Sequence, residues 1–338
     1  MQVTDPTALY RLRDGAYAAD LLIAAVAGLD LFSWLAEQEA PVPDGAVVLE
    51  LGLAARPTDV MLTYLAALGL IDRADGAVSP TRTALDHLSA GSRYDLRSYY
   101  ASLASRPGCK ELLDVLRTGE PSAWASADGA ADWSAHLDDP AAAAAFTSAM
   151  DARGHYLAPV LAETVADLDV GAVLDIGGSS GTYACALADR LGVTGAVLER
   201  SPVDHAARTL IADRGQADRI QVVTADMFAD PLPGGYRTHL YSHVLHDWPE
   251  EKVRALLAAS YRALPPGGLF IDHDVHINAA KTGPLPAAEY SVLLMHSTHG
   301  KCWSTAELAA FLRDAGFTSV EERTTAADRS ALIVRTPG

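Results

Sequence analysis

Acidic residues follow three successive predicted strands, and the first of them opens a glycine-rich loop. The loop, residues 175–181, reads DIGGSSG and comes after the apolar stretch VGAVL. Glu199 ends the next predicted strand, and Asp226, followed by Met227, comes just after the strand beyond it. The carboxyl ends of parallel strands meet at one edge of a sheet, where ligands of such sheets bind. The sequence therefore predicts a ligand site at this edge, lined by carboxylates.

The spacing of the loop glycines distinguishes between two cofactors. A dinucleotide site uses G-x-G-x-x-G and places the pyrophosphate on a helix N-terminus. Gly177, Gly178 and Gly181 do not have that spacing. The carboxylate of Asp175 would also repel a pyrophosphate, whereas it suits the sulfonium and ammonium groups of S-adenosylmethionine. In this interpretation Glu199 binds the ribose hydroxyls, and Asp226 and Met227 hold the adenine.

The elements that position these residues change character near the middle of the chain. Residues 7–37 and 140–168 carry apolar side chains at helical spacing, and Asp139-Pro140 predicts the start of the second helical stretch. From residue 170 onwards predicted strands and helices alternate, which is typical of a doubly wound, mostly parallel α/β sheet. The final stretch SALIVRT predicts a last strand in a hairpin at the sheet edge.

The N-terminal half has the element order of a winged helix. Residues 57–90 predict a helix, two short strands around Asp75-Gly76 and a second helix. These helices lack the basic stripe of a DNA-binding module, and the formal charge of -17 disfavours a nucleic-acid partner. We therefore interpret the pattern as a dimerisation or lid module. Two domains are predicted: a mostly helical, winged-helix-like domain at residues 1–155, and a cofactor-binding catalytic domain at residues 156–338.

Neither the N-terminus nor the cysteines indicate an exported protein. Residues 1–22 lack the basic start and apolar core of a signal peptide, and no apolar run reaches the roughly 18 residues of a membrane span. Cys109, Cys185 and Cys302 are too few for a disulfide framework in a chain of 338 residues. These observations predict a cytoplasmic protein without a membrane partner.

Six stretches of the sequence occur in the order and spacing of one enzyme family. They are LDIGGSSG, LERSPV, TADMF, HVLHDWPEEK, PPGGLFIDHDV and HGKCWSTAELAAFLRDAGF. Over about residues 7–338 the chain resembles the class I S-adenosylmethionine-dependent small-molecule O-methyltransferases of the caffeate and acetylserotonin type. The resemblance implies a Rossmann-like methyltransferase domain, a small secondary-metabolite precursor as substrate, and a homodimer joined through the N-terminal region. The third loop glycine of many members is Ser179 here.

The resemblance also implies roles for individual side chains. His246, in the motif His246-Asp247-Trp248, would be the general base. Two acids orient this imidazole in relatives; one aligns with Asp274 and the other with Cys302, which is not an acid. Arg153 aligns with a substrate-facing position, where it would clamp a carboxylate, although a solvated helix arginine is the alternative. The implied contacts are Ser242 to the cofactor and Phe146, Met150, Arg153, Leu293, His296 and Ser297 to the substrate.

Histidines are concentrated in the second half of the chain. Seven of the 11 lie between residues 239 and 299. His243, His246 and His296 are predicted to converge with a carboxylate, which is a ligand set of zinc and iron sites. Polar histidines scattered around a pocket are the alternative. His273 alternates with Asp274 along one strand, points to the opposite face and is predicted to be structural.

A bound zinc or iron ion would change the predicted reaction. A Lewis acid that binds a 2-oxo acid through its carboxylate and keto oxygens lowers the cost of forming an enolate. The sequence then favours metal-assisted C-methylation of a 2-oxo acid, with metal-free O-methylation of a phenolic hydroxyl by His246 as the alternative. Two other classes remain open: a ligand-responsive regulator, and an inactive methyltransferase fold, which Cys302 suggests.

Overall fold

The computed structural model describes residues 3–122, 134–318 and 320–338. The described residues divide into two compact units. One unit comprises those of Met1–Ala131 together with His276–Ala306. The other comprises those of Asp132–Val275 together with Glu307–Gly338.

Helices and strands are numbered in chain order within the described residues. The helices are α1 (Thr7–Asp14), α2 (Ala18–Ile23), α3 (Leu31–Ala36), α4 (Asp44–Leu51), α5 (Ala55–Ala67), α6 (Arg82–His87), α7 (Arg97–Ala101), α8 (Pro107–Thr118), α9 (Pro140–Thr164), α10 (Thr182–Leu191), α11 (Val203–Asp213), α12 (Glu250–Ala263), α13 (Leu285–Ser297) and α14 (Thr305–Ala315). The strands are β1 (Val42–Pro43), β2 (Ile71–Ala74), β3 (Ala77–Pro80), β4 (Val173–Ile176), β5 (Gly195–Glu199), β6 (Ile220–Thr224), β7 (Thr238–Ser242), β8 (Leu269–Asp274), β9 (Glu321–Thr324) and β10 (Ser330–Arg335). A π-helical turn spans Ala24–Gly28, and 3-10 turns span Ala135–Asp138 and Leu245–Asp247.

The first unit is mostly helical and includes α13, which follows the α/β strands in sequence. Almost every side chain of α13 is buried, and the helix packs against α1, α2, α5 and α8. A small sheet has the order β1-β3-β2, and its hairpin turns at Asp75 and Gly76, both at positive φ. Thr81 caps the following helix by accepting a hydrogen bond from the Ala84 N–H. The predicted hairpin and helix are confirmed in position, while their assignment as a wing stays a prediction.

The second unit contains a mostly parallel sheet in the order β6-β5-β4-β7-β8-β10-β9. Strands β4 to β8 run parallel, and β10 runs antiparallel to both of its neighbours. The strand order reverses at β4, so a ligand crevice is expected outside the carboxyl ends of β4 and β7. The predicted doubly wound α/β fold is confirmed.

The position predicted for the last strand is wrong in one respect. Strand β10 does form a hairpin with β9, but it lies inside the sheet rather than at its edge. Its central residues 331–334 are all buried, which favours pairing on both sides. The edge is β9, whose sequence EERT is charged and partly exposed. Charged side chains on an edge strand oppose pairing with other chains.

Helix α9 explains why the unit boundary differs from the predicted boundary between residues 155 and 156. Asp139 caps the helix, as predicted, with its Oδ1 2.8 Å from the Ala142 N–H. The helix packs on α10 and α11, which belong to the second unit. The contiguous domains predicted at residues 1–155 and 156–338 therefore do not coincide with the two units. Within the described ranges, the helices lack the combination of length and apolar character that spans a bilayer.

Candidate active site

The glycine-rich loop joins β4 to α10 and passes close to its own carboxylate. A Cβ at Gly178 would lie 2.5 Å from Cγ of Asp175, so only glycine fits at this position. Ser179 has φ of 51°, a conformation that few side chains adopt. Glu199 Oε1 accepts the Ser179 N–H at 2.8 Å, which holds this backbone in place. The acid at the end of β5 therefore also shapes the loop after β4.

Two carboxylates of the predicted cofactor site have a raised pKa. Asp175 is fully buried, and neither of its oxygens makes a well-formed hydrogen bond with a described residue. Burial raises the pKa of Asp175 to about 7, and the charge of Glu199 adds to the rise. Burial likewise raises the pKa of Glu199 to about 7, although the backbone N–H groups of Ser179 and Arg200 oppose it. The buried oxygens of Asp175, which receive no well-formed hydrogen bond from the described residues, indicate a ligand that supplies donors.

The other predicted cofactor residues lie at the carboxyl ends of β6 and β7. Asp226 is exposed, and its Oδ1 accepts the Phe228 N–H at 2.8 Å. Met227 faces the loop, since a Cβ on Gly177 would lie 3.8 Å from its Sδ. Ser242 is buried at the end of β7, and its hydroxyl has no hydrogen-bond partner among the described residues. These positions are compatible with the predicted adenine and cofactor contacts.

His246 lies in the 3-10 turn after β7 and is paired with Asp274 at the end of β8. Its Nδ1 is 2.7 Å from Asp274 Oδ1, and its Nε2 is 3.6 Å from Asp247 Oδ1. Burial lowers the pKa of His246, but the charges of Asp274 and Asp247 outweigh burial, and the net shift is upward. Burial raises the pKa of Asp247 to about 6, partly offset by His246. The imidazole and the acid that the sequence pairs are therefore adjacent in the structure.

His243 approaches the same carboxylate oxygen from the end of β7. Its Nδ1 lies 3.2 Å from Asp274 Oδ1, and its side chain is completely buried. Neither ring nitrogen makes a well-formed hydrogen bond with a described residue, so the 3.2 Å approach to Asp274 is a polar contact. Burial and the charge of Arg153 lower the pKa of His243 well below its ordinary value, against the opposing effect of Asp274. The net pKa of Asp274 is well below its ordinary value, because the two histidines outweigh burial.

Three of these side chains form a candidate metal-binding group. Among the described residues, His243, His246 and Asp274 offer ligand atoms that all lie within 4.8 Å of one another. Two imidazoles and a carboxylate suit zinc or iron. The third predicted histidine, His296, belongs to the first unit. There its Nε2 lies 2.8 Å from Glu111 Oε2.

The predicted substrate residues are divided between α9 and α13. Phe146, Met150 and Arg153 are spaced along one face of α9 and are partly buried. Leu293, His296 and Ser297 are buried on α13, in the first unit, where the Ser297 hydroxyl donates to the Leu293 carbonyl at 2.6 Å. Cys302, also in the first unit, donates its backbone N–H to Ser291 Oγ at 3.1 Å.

Sequence reasoning did not identify two polar groups near these sites. Tyr183, at the start of α10, is buried, and its hydroxyl has no hydrogen-bond partner among the described residues. Its position two residues after the loop was an available signal. Glu111, the partner of His296, is 185 residues away in sequence, and nothing in its local pattern indicates the pairing.

Comparisons with known proteins show the family of the chain. A model of the O-methyltransferase domain family matches residues 109–318. The 3-hydroxy-5-methyl-1-naphthoate 3-O-methyltransferase of Streptomyces sahachiroi is 31% identical over 93% of this chain and 90% of that protein. The L-tyrosine C(3)-methyltransferase of Streptomyces lavendulae is 28% identical over 90% of this chain and 84% of that protein.

A solved structure also resembles the chain over nearly its whole length. It is an O-methyltransferase family 2 protein from Planctomyces limnophilus in complex with apigenin, with a TM-score of 0.89 and 28% identity. The match covers 99% of this chain and 97% of that chain. Other solved relatives hold S-adenosylmethionine or S-adenosylhomocysteine. The chain belongs to the O-methyltransferase domain family and is an S-adenosylmethionine-dependent methyltransferase.

Proposed function

We propose that the enzyme methylates a small acceptor molecule whose acidic proton is removed by His246. The observation that supports this proposal is the 2.7 Å contact between His246 Nδ1 and Asp274 Oδ1. A carboxylate only accepts hydrogen bonds, so Nδ1 carries the hydrogen and Nε2 carries the lone pair of the neutral ring. Asp274 then fixes the ring orientation and stabilises the imidazolium that forms when Nε2 takes the proton.

The cofactor site is proposed from the loop and the strand ends. S-adenosylmethionine, when bound, supplies the electrophilic methyl group. The buried carboxylate of Asp175, which makes no well-formed hydrogen bond with a described residue, fits a cationic ligand, and the residues present therefore suit this cofactor. In this proposal Glu199 binds the ribose, Asp226 and Met227 hold the adenine, and Ser242 contacts the cofactor from β7.

The test of the base is His246→Ala, assayed for methyl transfer to a panel of phenols and 2-oxo acids. We expect turnover to fall by at least about 100-fold, because general-base removal typically costs that much. Calorimetry should show that the variant still binds S-adenosylmethionine. His205→Ala is the matched control, since His205 is largely exposed on α11. Near-normal turnover of His246→Ala would contradict the proposal.

A second candidate is C-methylation of a 2-oxo acid with the help of zinc or iron. The observation that favours it is the grouping of His243, His246 and Asp274, in which His243 Nε2 is buried without a partner among the described residues. Such an ion would act as a Lewis acid toward the keto group. Arg153, whose positive charge acts on both histidines, would bind the substrate carboxylate.

Metal analysis of the purified enzyme tests this second candidate. If it is correct, the protein carries close to one ion per chain, and chelation abolishes metal content and activity together. Arg153→Met should then raise KM for 2-oxo acids and leave KM for neutral phenols unchanged. Full activity in exhaustively chelated, metal-free protein would rule out the metal and leave base-assisted O-methylation. The residues of α13, Leu293, His296 and Ser297, are proposed to contact the acceptor under either chemistry.

A further inference from the structure

His243 is a buried histidine that the proposed acid–base pair does not use. We infer that His243 is a positioning residue, whose Nδ1 edge packs against Asp274 Oδ1 at 3.2 Å and thereby holds the carboxylate in the orientation that aligns His246. This inference rests on the proposed function of His246. It assigns to His243 a role in the metal-free enzyme, distinct from that of a metal ligand.

The environment of Asp274 Oδ1 supports this role. The oxygen receives the Val275 backbone N–H at 2.7 Å and lies 2.7 Å from His246 Nδ1. His243 Nδ1 is 3.2 Å away. Because an ionised carboxylate has no hydrogen to donate, the hydrogen of the His246–Asp274 bond is carried by His246 Nδ1. The Val275 backbone and His246 donate to this oxygen, and His243 makes a third polar contact with it; loss of one of these contacts leaves the carboxylate freer to rotate.

The backbone at His243 is shaped for this contact. Its φ of 58° lies in the left-handed region, which costs a residue other than glycine about 1 kcal/mol or more. The His243 N–H donates to the His273 carbonyl at 3.0 Å, so the neighbouring strand holds this conformation. Strain of this kind persists only where the surrounding structure enforces it, and it is concentrated at functional positions.

The rings packed around His243 limit its movement. Its ring centroid is 5.7 Å from that of His246, 5.6 Å from that of His273 and 6.5 Å from that of Tyr183. His273 turns its Nε2 away to Thr325 Oγ1, 3.0 Å distant. Within this ring cluster, His243 is thus the residue that approaches the carboxylate from the end of β7. His273 belongs to the same cluster and serves as the control position.

The test compares His243→Asn with His243→Ala. Asparagine places an amide N–H close to the position of Nδ1, and it tolerates positive φ better than most residues. We expect His243→Ala to lower kcat by about 10- to 100-fold with little change in KM or in S-adenosylmethionine affinity. His243→Asn should recover most of this loss. In an Asp274→Asn background, His243→Ala should cause little further loss, because the partner is already changed.

The controls separate positioning from packing and from metal binding. His273→Asn removes a buried imidazole from the same ring cluster and should leave kcat near that of the wild type. Thermal unfolding and metal content are measured for every variant. The inference is overturned if His243→Ala keeps normal kcat, or if His243→Asn loses as much activity as His243→Ala. It is also overturned if the losses caused by His243→Ala and Asp274→Asn are additive in the double variant. A loss of bound metal that added metal reverses would also overturn it. If the proposed function itself is wrong, the His246→Ala variant keeps near-normal turnover, which is a separate result from those above.

Discussion

Asp175 combines complete burial with a pKa of about 7, so its charge is easily lost near neutrality. A cationic cofactor binds the ionised carboxylate, and protonation therefore competes with binding. Affinity for S-adenosylmethionine should therefore be full above about pH 8, where Asp175 is ionised, and should fall as the pH drops below 7. We expect the apparent Kd to rise by up to about fivefold between pH 7 and pH 6, as proton linkage to one such group predicts.

Calorimetric titrations at several pH values check this prediction. Asp175→Asn should bind weakly and with a flatter pH dependence, whereas Asp213→Asn, an exposed position at the end of α11, should behave like the wild type. Glu199→Gln is a useful third variant, because burial raises the pKa of Glu199 to about 7 as well. Equal affinity of the wild-type enzyme at pH 6 and pH 8 would contradict the assignment of Asp175.

Some of these residues were predictable because their positions follow from local patterns. Asp175 and Glu199 end buried strands, and His246 and Asp274 lie in motifs at the same sheet edge. The left-handed backbone of His243 was not predictable, because it depends on where the neighbouring strand ends. Nor does any short-range signal reveal that α8 supplies the acid that contacts His296.

The contact between α9 and α10 depends on a missing side chain. Gly154 lies inside α9, and a Cβ there would be 2.1 Å from Cγ2 of Thr182. In an exposed helix, replacing glycine by alanine adds about 1 kcal/mol of stability. At Gly154 the steric overlap should outweigh that gain. We expect Gly154→Ala to lower the free energy of unfolding by about 1–3 kcal/mol, as overpacking usually does.

Urea unfolding measures the effect, and two variants define its cause. Gly154→Ala combined with Thr182→Ser should recover stability, because serine lacks the clashing methyl group. Gly45→Ala is the opposite control: Gly45 lies in α4 with no atom within 4 Å of the added Cβ, so the change should be neutral or stabilising. A Gly154→Ala variant as stable as the wild type would show that α9 and α10 can separate without cost.

Strand β7 is joined to α12 by a buried polar network. His239 Nδ1 lies 3.0 Å from Ser260 Oγ, which is also 2.8 Å from the Tyr241 hydroxyl. Burial lowers the pKa of His239 from 6.5 to about 4. Since the unfolded chain binds this proton more readily, stability falls as the pH drops from 6.5 to 4. The loss from this group should approach about 3 kcal/mol.

His239→Asn removes the titrating group and keeps a polar atom near Ser260. Its free energy of unfolding should therefore depend less on pH between 6.5 and 4 than that of the wild type. His205, replaced by asparagine, provides the comparison for a histidine whose side chain is largely exposed. Parallel pH profiles for wild type and His239→Asn would refute the link between this network and acid sensitivity.

The alternation of strands and helices in the sequence predicted the sheet, but not the position of every strand within it. A run such as SALIV is compatible with an edge or an interior strand, and only its burial in the folded sheet decides between them. Helix α13 is apolar on nearly all sides, which predicts burial without indicating the partner. Its packing against α5 joins segments more than 200 residues apart, and a local pattern carries no such information.

Exposed apolar side chains in the N-terminal region bear on the assembly of the whole molecule. Leu9 and Leu12 lie one turn apart on α1 and are 69% and 76% exposed. Apolar area of this kind typically marks an interface. We predict a homodimer that buries this surface, and Leu9→Glu with Leu12→Glu should shift it to a single chain without unfolding.

Light scattering at micromolar concentration measures the mass, and circular dichroism checks the fold. Leu49→Glu is the matched control, because Leu49 is 81% exposed on α4, outside the residues 7–37 in which we place the interface. It should leave the mass unchanged. A single-chain mass for the wild-type protein at this concentration would disprove the predicted dimer.

The first unit is built from two stretches of chain that are separated by all five parallel strands. During synthesis α5 therefore leaves the ribosome long before α13, the helix that covers it, has been made. At about 5–20 residues per second, this delay is on the order of ten seconds or more. Over that time the apolar face of α5 has no intramolecular partner from α13. The N-terminal half of the nascent chain is thus the part we expect to depend most on chaperones.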